Sequence, residues 1–457
     1  MSPASRRATQ RSASSTPHRE FHMSYFDEAT ETLAREQLAD LQLHKLQQML
    51  AHLWQRNRFY TAKWQAAGVQ PADIRCLADL SRLPLTRKSE LLQDQAQHAP
   101  FGSNLTYAPE AYVRMHQTSG TTGLPLKVFD THASWDWWGR CWGHVLTGAG
   151  VKPSDRLFMA FGFGPFIGFW AAVEGARKIG AMMLPGGGRD TQQRLEMMRD
   201  AGATVLCCTP SYALRMAEVA QEIGFDLRSI PLQTTVHAGE PGASVAATKQ
   251  RIENAWAAKC FDHAGASEVG AHSFECQAQP GGTHLIESEY IAEILDPLSG
   301  APVLPGERGE LVITNLGRWG FPVLRYCTGD LVQANLQRCA CGRTSLRFEG
   351  GVLGRADDMV TVRGVNVFPA GVENIIRGFA EVDEFRVTVS KTRQMDEMDI
   401  EVELCAGTDA ALIQTIGTRL DSLLAFRPRV RQVAHGALPR FEMKAKRFHV
   451  KLEPAGC

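Results

Sequence analysis

Between Tyr25 and about Leu83, apolar residues recur at spacings of three and four, as in DEATETLAREQLADLQLHKLQQMLAHLWQ. That period predicts a helical N-terminal region. From Tyr112 to about Leu331 the pattern changes to short apolar runs alternating with longer amphipathic stretches: RLFMAFGF, WAAVEGARKIG, AMMLP, TQQRLEMMRDAG, TVLCCTP. A strand–helix–strand rhythm of this kind predicts an α/β domain whose sheet is mostly parallel and covered on both faces. The tryptophan-rich SWDWWGRCW at 134–142 reads as a helix packed on that sheet. Near Gly354 the character changes again. The last hundred residues read as strand (DMVTVRG), helix (AGVENIIRGF), strand (EFRVTVSKT), strand (MDIEVELC), helix (DAALIQTIGTRLDSLLA) and strand (RVRQVAHG). This βαββαβ unit, α+β in class, is of a size that can fold alone. The expected division is a tail at 1–22, a large domain at 23–354 and a small domain at 355–457.

Composition narrows the class. Lys plus Arg (49) equals Asp plus Glu (49), so no global charge draws the chain to nucleic acid or an anionic membrane. No apolar run reaches the length of a membrane span. The opening MSPASRRATQRSASSTPHREFH is rich in Ser and Arg, has Glu20 as its one acidic residue, and lacks the apolar stretch of a secretory signal. A transit peptide or an extended start before Met23 would look similar; a tail is the reading adopted. The 11 cysteines are odd in number and form no regular framework, which places the chain in a reducing cytosol.

The most informative stretch is Gln117-Thr118-Ser119-Gly120-Thr121-Thr122-Gly123-Leu124-Pro125-Leu126-Lys127. Its glycines let backbone N–H groups turn inward to cradle anionic oxygens, its hydroxyls add donors, and Lys127 adds charge. It is not the Walker pattern, which argues against a P-loop kinase or GTPase. Gly162-Phe163-Gly164-Pro165-Phe166-Ile167-Gly168 spaces its last glycine too far for a dinucleotide fingerprint, and Gly265-Ala266-Ser267-Glu268-Val269 lacks the closing Gly of a nucleophile elbow.

The Ser/Thr/Gly loop, SEVG at 267–270, YCTGD at 326–330, GRADDMVTVRGVNVFP at 354–369 and the terminal Lys444 resemble the adenylate-forming superfamily. TPSYAL at 209–214 and YFDEATETL at 25–33 resemble its phenylacetate–coenzyme A ligase branch. The resemblance covers about residues 24–450. It implies a large N-terminal domain, a small mobile C-terminal domain, and activation of a carboxylic acid by ATP. By resemblance, Thr118, Ser119, Gly120, Thr121, Thr122 and Gly123 hold the phosphates, and Glu268 beside Ser267 is a Mg²⁺ ligand, since a hard cation wants carboxylate oxygen. Gly239-Glu240-Pro241 and Asp262 line the nucleotide pocket. Asp330 binds the ribose hydroxyls, and Arg355 reaches the ribose–phosphate region. Lys444 offsets charge during adenylation, with Lys446 as the alternative, and Asp357 marks the hinge between half-reactions. Three positions depart from the family pattern: Ala264 stands where a Tyr stacks on adenine, Cys327 where an Arg is usual, and Met443 where a Gly precedes the lysine.

Phe161, Phe163, Phe166 and Ile167, with His237 and Ala264, are expected around the acyl group, where aromatic walls suit a flat or apolar acid. Neither segment holds Arg or Lys, which favours a monocarboxylate. Cys276, His284, Cys339 and Cys341 form a Cys₃His set, the composition of a closed structural zinc site; four unrelated reduced side chains are the competing account. The reading is a cytosolic acid–thiol ligase that uses ATP, Mg²⁺ and coenzyme A on an aryl or arylacetic acid, with homodimerisation left open. Transfer to a carrier-protein thiol or an amine, and a non-catalytic nucleotide-binding homologue, are the rivals.

Overall fold

The computed structural model describes residues 25–118, 125–356, 360–362, 365–367, 369–392, 395–424, 426–441 and 447–451. One large sheet dominates, with 12 strands among the described residues. Five are parallel, in the spatial order Met182–Pro185, Arg156–Met159, Val205–Cys208, Thr234–His237 and Lys259–Ala266. Helices Trp170–Ile179, Thr191–Asp200, Pro210–Glu222 and Ala246–Trp256 make the crossovers that parallel pairing requires. Val205–Cys208 and Thr234–His237 are buried at every position, as expected of strands covered on both faces.

From Lys259–Ala266 onward the sheet turns antiparallel, through Gly270–Glu275, Gly282–Leu285, Arg347–Glu349, Tyr326–Asn335, Arg308–Asn315 and Tyr290–Leu295. The parallel expectation therefore holds for one half of the sheet only. The reason is connection length: three residues separate Ala266 from Gly270, enough for a hairpin and far too few for a crossover. Lys259–Ala266 has a parallel neighbour on one side and an antiparallel one on the other, so the order of the sheet changes at this strand. Crevices beyond the C-terminal ends of parallel strands, where order changes, are where open sheets bind ligands.

The tryptophan-rich stretch is a helix, His132–Gly148, capped by Thr131, whose hydroxyl accepts from Ser134 N at 3.2 Å. It packs on the antiparallel half. At Gly270 (φ +123°) a Cβ would lie 2.1 Å from the Tyr290 hydroxyl and 2.7 Å from the Trp137 ring, so this residue permits the close approach. The N-terminal helices Arg35–Leu53 and Arg58–Ala66 bury Leu46, Met49, Leu50, Tyr60 and Trp64.

The small domain has a four-stranded sheet in the order Arg429–Val433, Met395–Leu404, Val382–Thr392, Phe448–Lys451. Helices Pro369–Arg377 and Leu412–Leu424 cover it over a core that includes Val372, Ile376, Phe385, Ile400, Ile416 and Leu420. The pattern reading lacks its last strand, Phe448–Lys451, which pairs parallel with Val382–Thr392. Four residues with only partial burial carry too little alternation to read as a strand. Strand Gly354–Arg355 still pairs with Tyr326–Asn335, and Ala356 N donates to Gly329 O at 2.6 Å, so large-sheet pairing runs past the expected boundary. Among the described residues, no helix is long and apolar enough to cross a membrane.

Candidate active site

Glu268 sits in the short turn between Lys259–Ala266 and Gly270–Glu275, with only 5% of its surface exposed. Its Oε1 accepts from the Tyr326 hydroxyl at 2.8 Å, and Lys88 Nζ lies 3.4 Å away. Burial first, and the Glu268 charge second, push the Tyr326 phenol well above its ordinary range, so it stays a donor. SEVG and YCTGD, far apart in the chain, thus meet through a hydrogen bond to an ionic acceptor. Asp330, four residues along the strand from Tyr326, accepts from Arg355 Nη1 at 3.1 Å, and the same Nη1 donates to Thr328 O at 3.1 Å. The register places Asp330 opposite Arg355.

The neck of the Ser/Thr/Gly loop is closed by Thr118, whose N donates to Leu126 O at 2.9 Å and whose Oγ1 accepts from Leu126 N at 3.1 Å. Ser119, Gly120, Thr121, Thr122 and Gly123 lie outside the described residues, as do Asp357, Met443, Lys444 and Lys446. Lys127 Nζ donates to Pro100 O at 3.2 Å.

The Gly239-Glu240-Pro241 segment packs on the start of the helix that TPSYAL opens. Glu240 Oε1 accepts from Ser211 N at 2.8 Å, which suits a carboxylate at a helix N-terminus. A Cβ on Gly242 would lie 2.5 Å from the Pro210 ring, so the two segments touch because that side chain is missing. Asp262, at the C-terminal end of its parallel neighbour's reach, pairs in register with His237. Burial, with the Glu275 charge second, pushes its carboxyl up to about 7. Glu275 Oε2 accepts from Asp262 N at 2.9 Å and from Lys249 Nζ at 2.8 Å.

The residues expected around the acyl group divide in two. Phe161 and Ile167 belong to the main core, whereas Phe163 and Phe166 pack on it partly buried. Phe161 stands with its ring centroid 4.6 Å from Phe163 and 5.5 Å from Phe166, and Phe163 lies 4.9 Å from Trp170. Gln117 N donates to Pro165 O at 2.8 Å, which fastens this aromatic loop to the strand entering the Ser/Thr/Gly loop. His237 is fully buried, with Nε2 2.9 Å from Thr235 Oγ1 and Nδ1 3.1 Å from Cys208 O. Both ring nitrogens are therefore held inside the parallel sheet, and burial lowers the ring to about 4 and keeps it neutral. Ala264 is half-buried, paired with Ser273. Cys327, where the family pattern has Arg, is core, packed with Leu295 and Val312.

Cys276, His284, Cys339 and Cys341 are all buried, with their ligand atoms within 4.8 Å of one another. Strand pairing explains the meeting: His284 lies on Gly282–Leu285, paired with Arg347–Glu349, and the two other segments flank these strands. The Cys276–Cys339 sulfur separation of 3.7 Å is far beyond a disulfide bond, and Cys341 Sγ is 3.5 Å from His284 Nε2. His284 Nδ1 has Ser345 Oγ at 3.2 Å, the outer-shell partner that a ligating imidazole needs. A buried Cys₃His donor set fits a four-coordinate zinc ion.

Sequence reasoning missed Tyr326 as the partner of Glu268, Lys88, and the buried pair Asp130–Arg318. Tyr326 stood inside a motif already quoted. The others carry no motif, and only the fold brings them to the site.

These features are those of a nucleotide-using, adenylate-forming architecture, and the comparisons agree. Residues 43–317 match the AMP-binding enzyme family and residues 364–450 the AMP-binding enzyme C-terminal domain. The chain belongs to the AMP-binding enzyme family. It is 35% identical over 378 residues to a phenylacetate–coenzyme A ligase of Thermus thermophilus, covering 82% of this chain and 83% of that one. It is 32% identical over 428 residues to the phenylacetate–coenzyme A ligase of Escherichia coli, covering 91% and 95%. Among solved structures, it is similar to a 2-hydroxyisobutyryl-CoA ligase in the postadenylation state with R3-HIB-AMP, at TM-score 0.88, 29% identity, and 96% and 94% coverage. The same ligase with 2-HIB-AMP and CoA in the thioesterification state gives TM-score 0.71, 30% identity, and 92% and 91% coverage.

Proposed function

We propose that this protein is an AMP-forming acid–coenzyme A ligase acting on an aryl or arylacetic acid. The observation that carries this reading is the convergence of Glu268, Tyr326, Asp330 and Arg355 about one strand and the turn that faces it, in a chain whose curated relatives are phenylacetate–coenzyme A ligases over most of their length. In the first step a carboxylate oxygen attacks the α-phosphorus of ATP, and the bond to the departing pyrophosphate breaks. In the second, the coenzyme A thiolate attacks the acyl carbon and AMP leaves. Both steps depend on positioning and charge neutralisation more than on proton transfer.

Thr118 and the loop through Gly123 would cradle the β- and γ-phosphates, Asp330 the ribose, and Gly239-Glu240-Pro241 with Asp262 the base side of the pocket. Glu268, a buried carboxylate already serving as an acceptor, fits a Mg²⁺ ligand; the ion when bound would offset phosphate charge. Phe163 and Phe166 would face the acyl group, and their partial burial supports that over a purely core role. The Cys₃His knot would hold structural zinc.

Domain alternation deepens the reading. Over 92% and 96% of its length the chain overlaps the postadenylation structures at TM-scores of 0.86 and 0.88, against 0.71 and 0.72 for the thioesterification and open forms. This supports a small domain placed here for the first half-reaction; by the family resemblance, Asp357 would be the hinge and Lys444 the residue that offsets charge at the α-phosphate. Arg251, on helix Ala246–Trp256, donates Nη1 to Val382 O at 3.1 Å across the two domains in this arrangement. We place the enzyme in the reducing cytosol on its cysteine usage.

Pyrophosphate release from ATP across a panel of carboxylic acids tests the assignment, followed by detection of the coenzyme A thioester. An arylacetic or aryl acid should give both. Release without thioester would move the acceptor to a carrier thiol or an amine, and no release with any acid would reject an enzyme altogether.

A further inference from the structure

Arg318 lies in LGRWGFP, between strands Arg308–Asn315 and Tyr326–Asn335, and belongs to no motif described above. Its side chain and that of Asp130 are both fully buried. Nε donates to Asp130 Oδ1 at 2.8 Å and Nη2 to Oδ2 at 2.7 Å, a two-pronged pair. Nη1 donates to the carbonyls of Ser267 at 2.7 Å and Glu268 at 3.0 Å. Asn315 Nδ2 donates to the next carbonyl, Val269 O, at 3.1 Å. Three consecutive carbonyls of the turn that presents Glu268 are thus taken by Asn315, the last residue of its strand, and by Arg318 in the loop that follows.

At the other end, Asp130 lies on Lys127–Thr131, the strand that leaves the Ser/Thr/Gly loop. The next residue, Thr131, caps the tryptophan-rich helix. The rings of Trp138 and Phe321 stand 5.4 and 5.7 Å from the guanidinium carbon and keep water away. Stability is a poor account of such a pair, because desolvating two charges cancels most of their attraction and an apolar pair of similar volume does as well. A guanidinium offers two separate hydrogen-bonding edges, which an ammonium lacks.

The geometry points to Asp130–Arg318 as a positioning clamp for adenylation. It sets the separation between Glu268 and the strand leaving the phosphate loop, so that carboxylate and loop meet the metal–nucleotide as one preset unit. The inference rests on the reading of Glu268 as the Mg²⁺ ligand, and the test separates the two. Pyrophosphate release by the full-length enzyme is followed at varied Mg²⁺ and varied acid for Glu268→Gln, for Arg318→Lys, and for Asp130→Leu combined with Arg318→Met. The double variant removes both charges together and leaves neither charge orphaned; it gives up the bonds to the Ser267 and Glu268 carbonyls, so its melting temperature should fall by only a few degrees while the fold persists.

The expected result is a rise of about tenfold or more in the Mg²⁺ concentration for half-maximal rate, with acid half-saturation within about twofold, in all three variants. A merely structural pair would lower the melting temperature and leave that selective shift absent. If Glu268→Gln shifts Mg²⁺ dependence and the folded clamp variants do not, the clamp is wrong and the Glu268 reading stands. If Glu268→Gln leaves it unmoved, the Glu268 reading fails and the clamp falls with it. Should the double variant not fold, Arg318→Lys, which keeps the charge facing Asp130 but gives up the second edge, decides alone.

Discussion

Removing zinc from the Cys₃His knot should cost stability well before it costs catalysis. Cys276 and Cys339 are 63 residues apart in sequence, and Cys341 and His284 are 57 apart. A metal that holds both pairs closes a loop of this size, which by chain-entropy arithmetic for a cross-link stabilises the fold by about 4 kcal/mol. For a domain this large, each kcal/mol moves the melting temperature by about 2 °C, so chelation should lower it by about 8 °C. The knot also anchors the N-terminal segment, since Tyr25 donates its hydroxyl to Cys341 O at 2.7 Å, and protease sensitivity near Tyr25 should rise with metal loss. Elemental analysis of protein prepared without added metal should find about one zinc per chain. Melting with and without a strong chelator, on wild type and on Cys339→Ser with Cys341→Ser, supplies the shift. Adenylation rate per folded molecule should stay within about twofold, because four protein ligands leave no open position for substrate. Zinc that persists in the double serine variant, or a wild type whose melting ignores the chelator, would falsify the site.

Other outcomes follow from the roles proposed for individual residues. Lys444→Ala should abolish acyl-adenylate formation and largely spare thioester formation from a pre-formed acyl-adenylate, and an equal loss in both half-reactions would contradict its assignment to the first. Glu268→Gln should weaken activity most at limiting Mg²⁺ and recover in part as Mg²⁺ is raised; wild-type kinetics at limiting Mg²⁺ would reject the ligand role. Asp262 is held up to about 7 by burial and by Glu275, so an unfolded chain ionises it near 3.8 while the folded one resists. Its contribution to stability therefore falls as pH rises from about 4 to about 7, and the full penalty remains above that. Asp262→Asn should gain stability against wild type at pH 8 and lose that gain near pH 4, as read from denaturant midpoints; a gain independent of pH would rule out the titration of Asp262 as its source.

The sequence by itself determined the N-terminal helices and the buried strands of the parallel half-sheet. Three- and four-residue periodicity marked the N-terminal helices and apolar runs such as VLCC marked buried strands, because these features depend on local backbone geometry and on which face meets water. It also placed Cys276, His284, Cys339 and Cys341 as one set, since ligand chemistry restricts which residue types can share an ion. Tertiary structure alone decided who meets whom. Tyr326 reaches Glu268 because the antiparallel half of the sheet brings two distant strands beside one turn. His237, which sequence reasoning placed by the acyl group, has its nitrogens drawn into the sheet by Thr235 two residues earlier and Cys208 on the neighbouring strand. Asp130 and Arg318, 188 residues apart, carry no local signal at all. A buried ion pair is chosen by the direction in which two side chains leave their backbones, and that direction exists only once the whole sheet has closed around them.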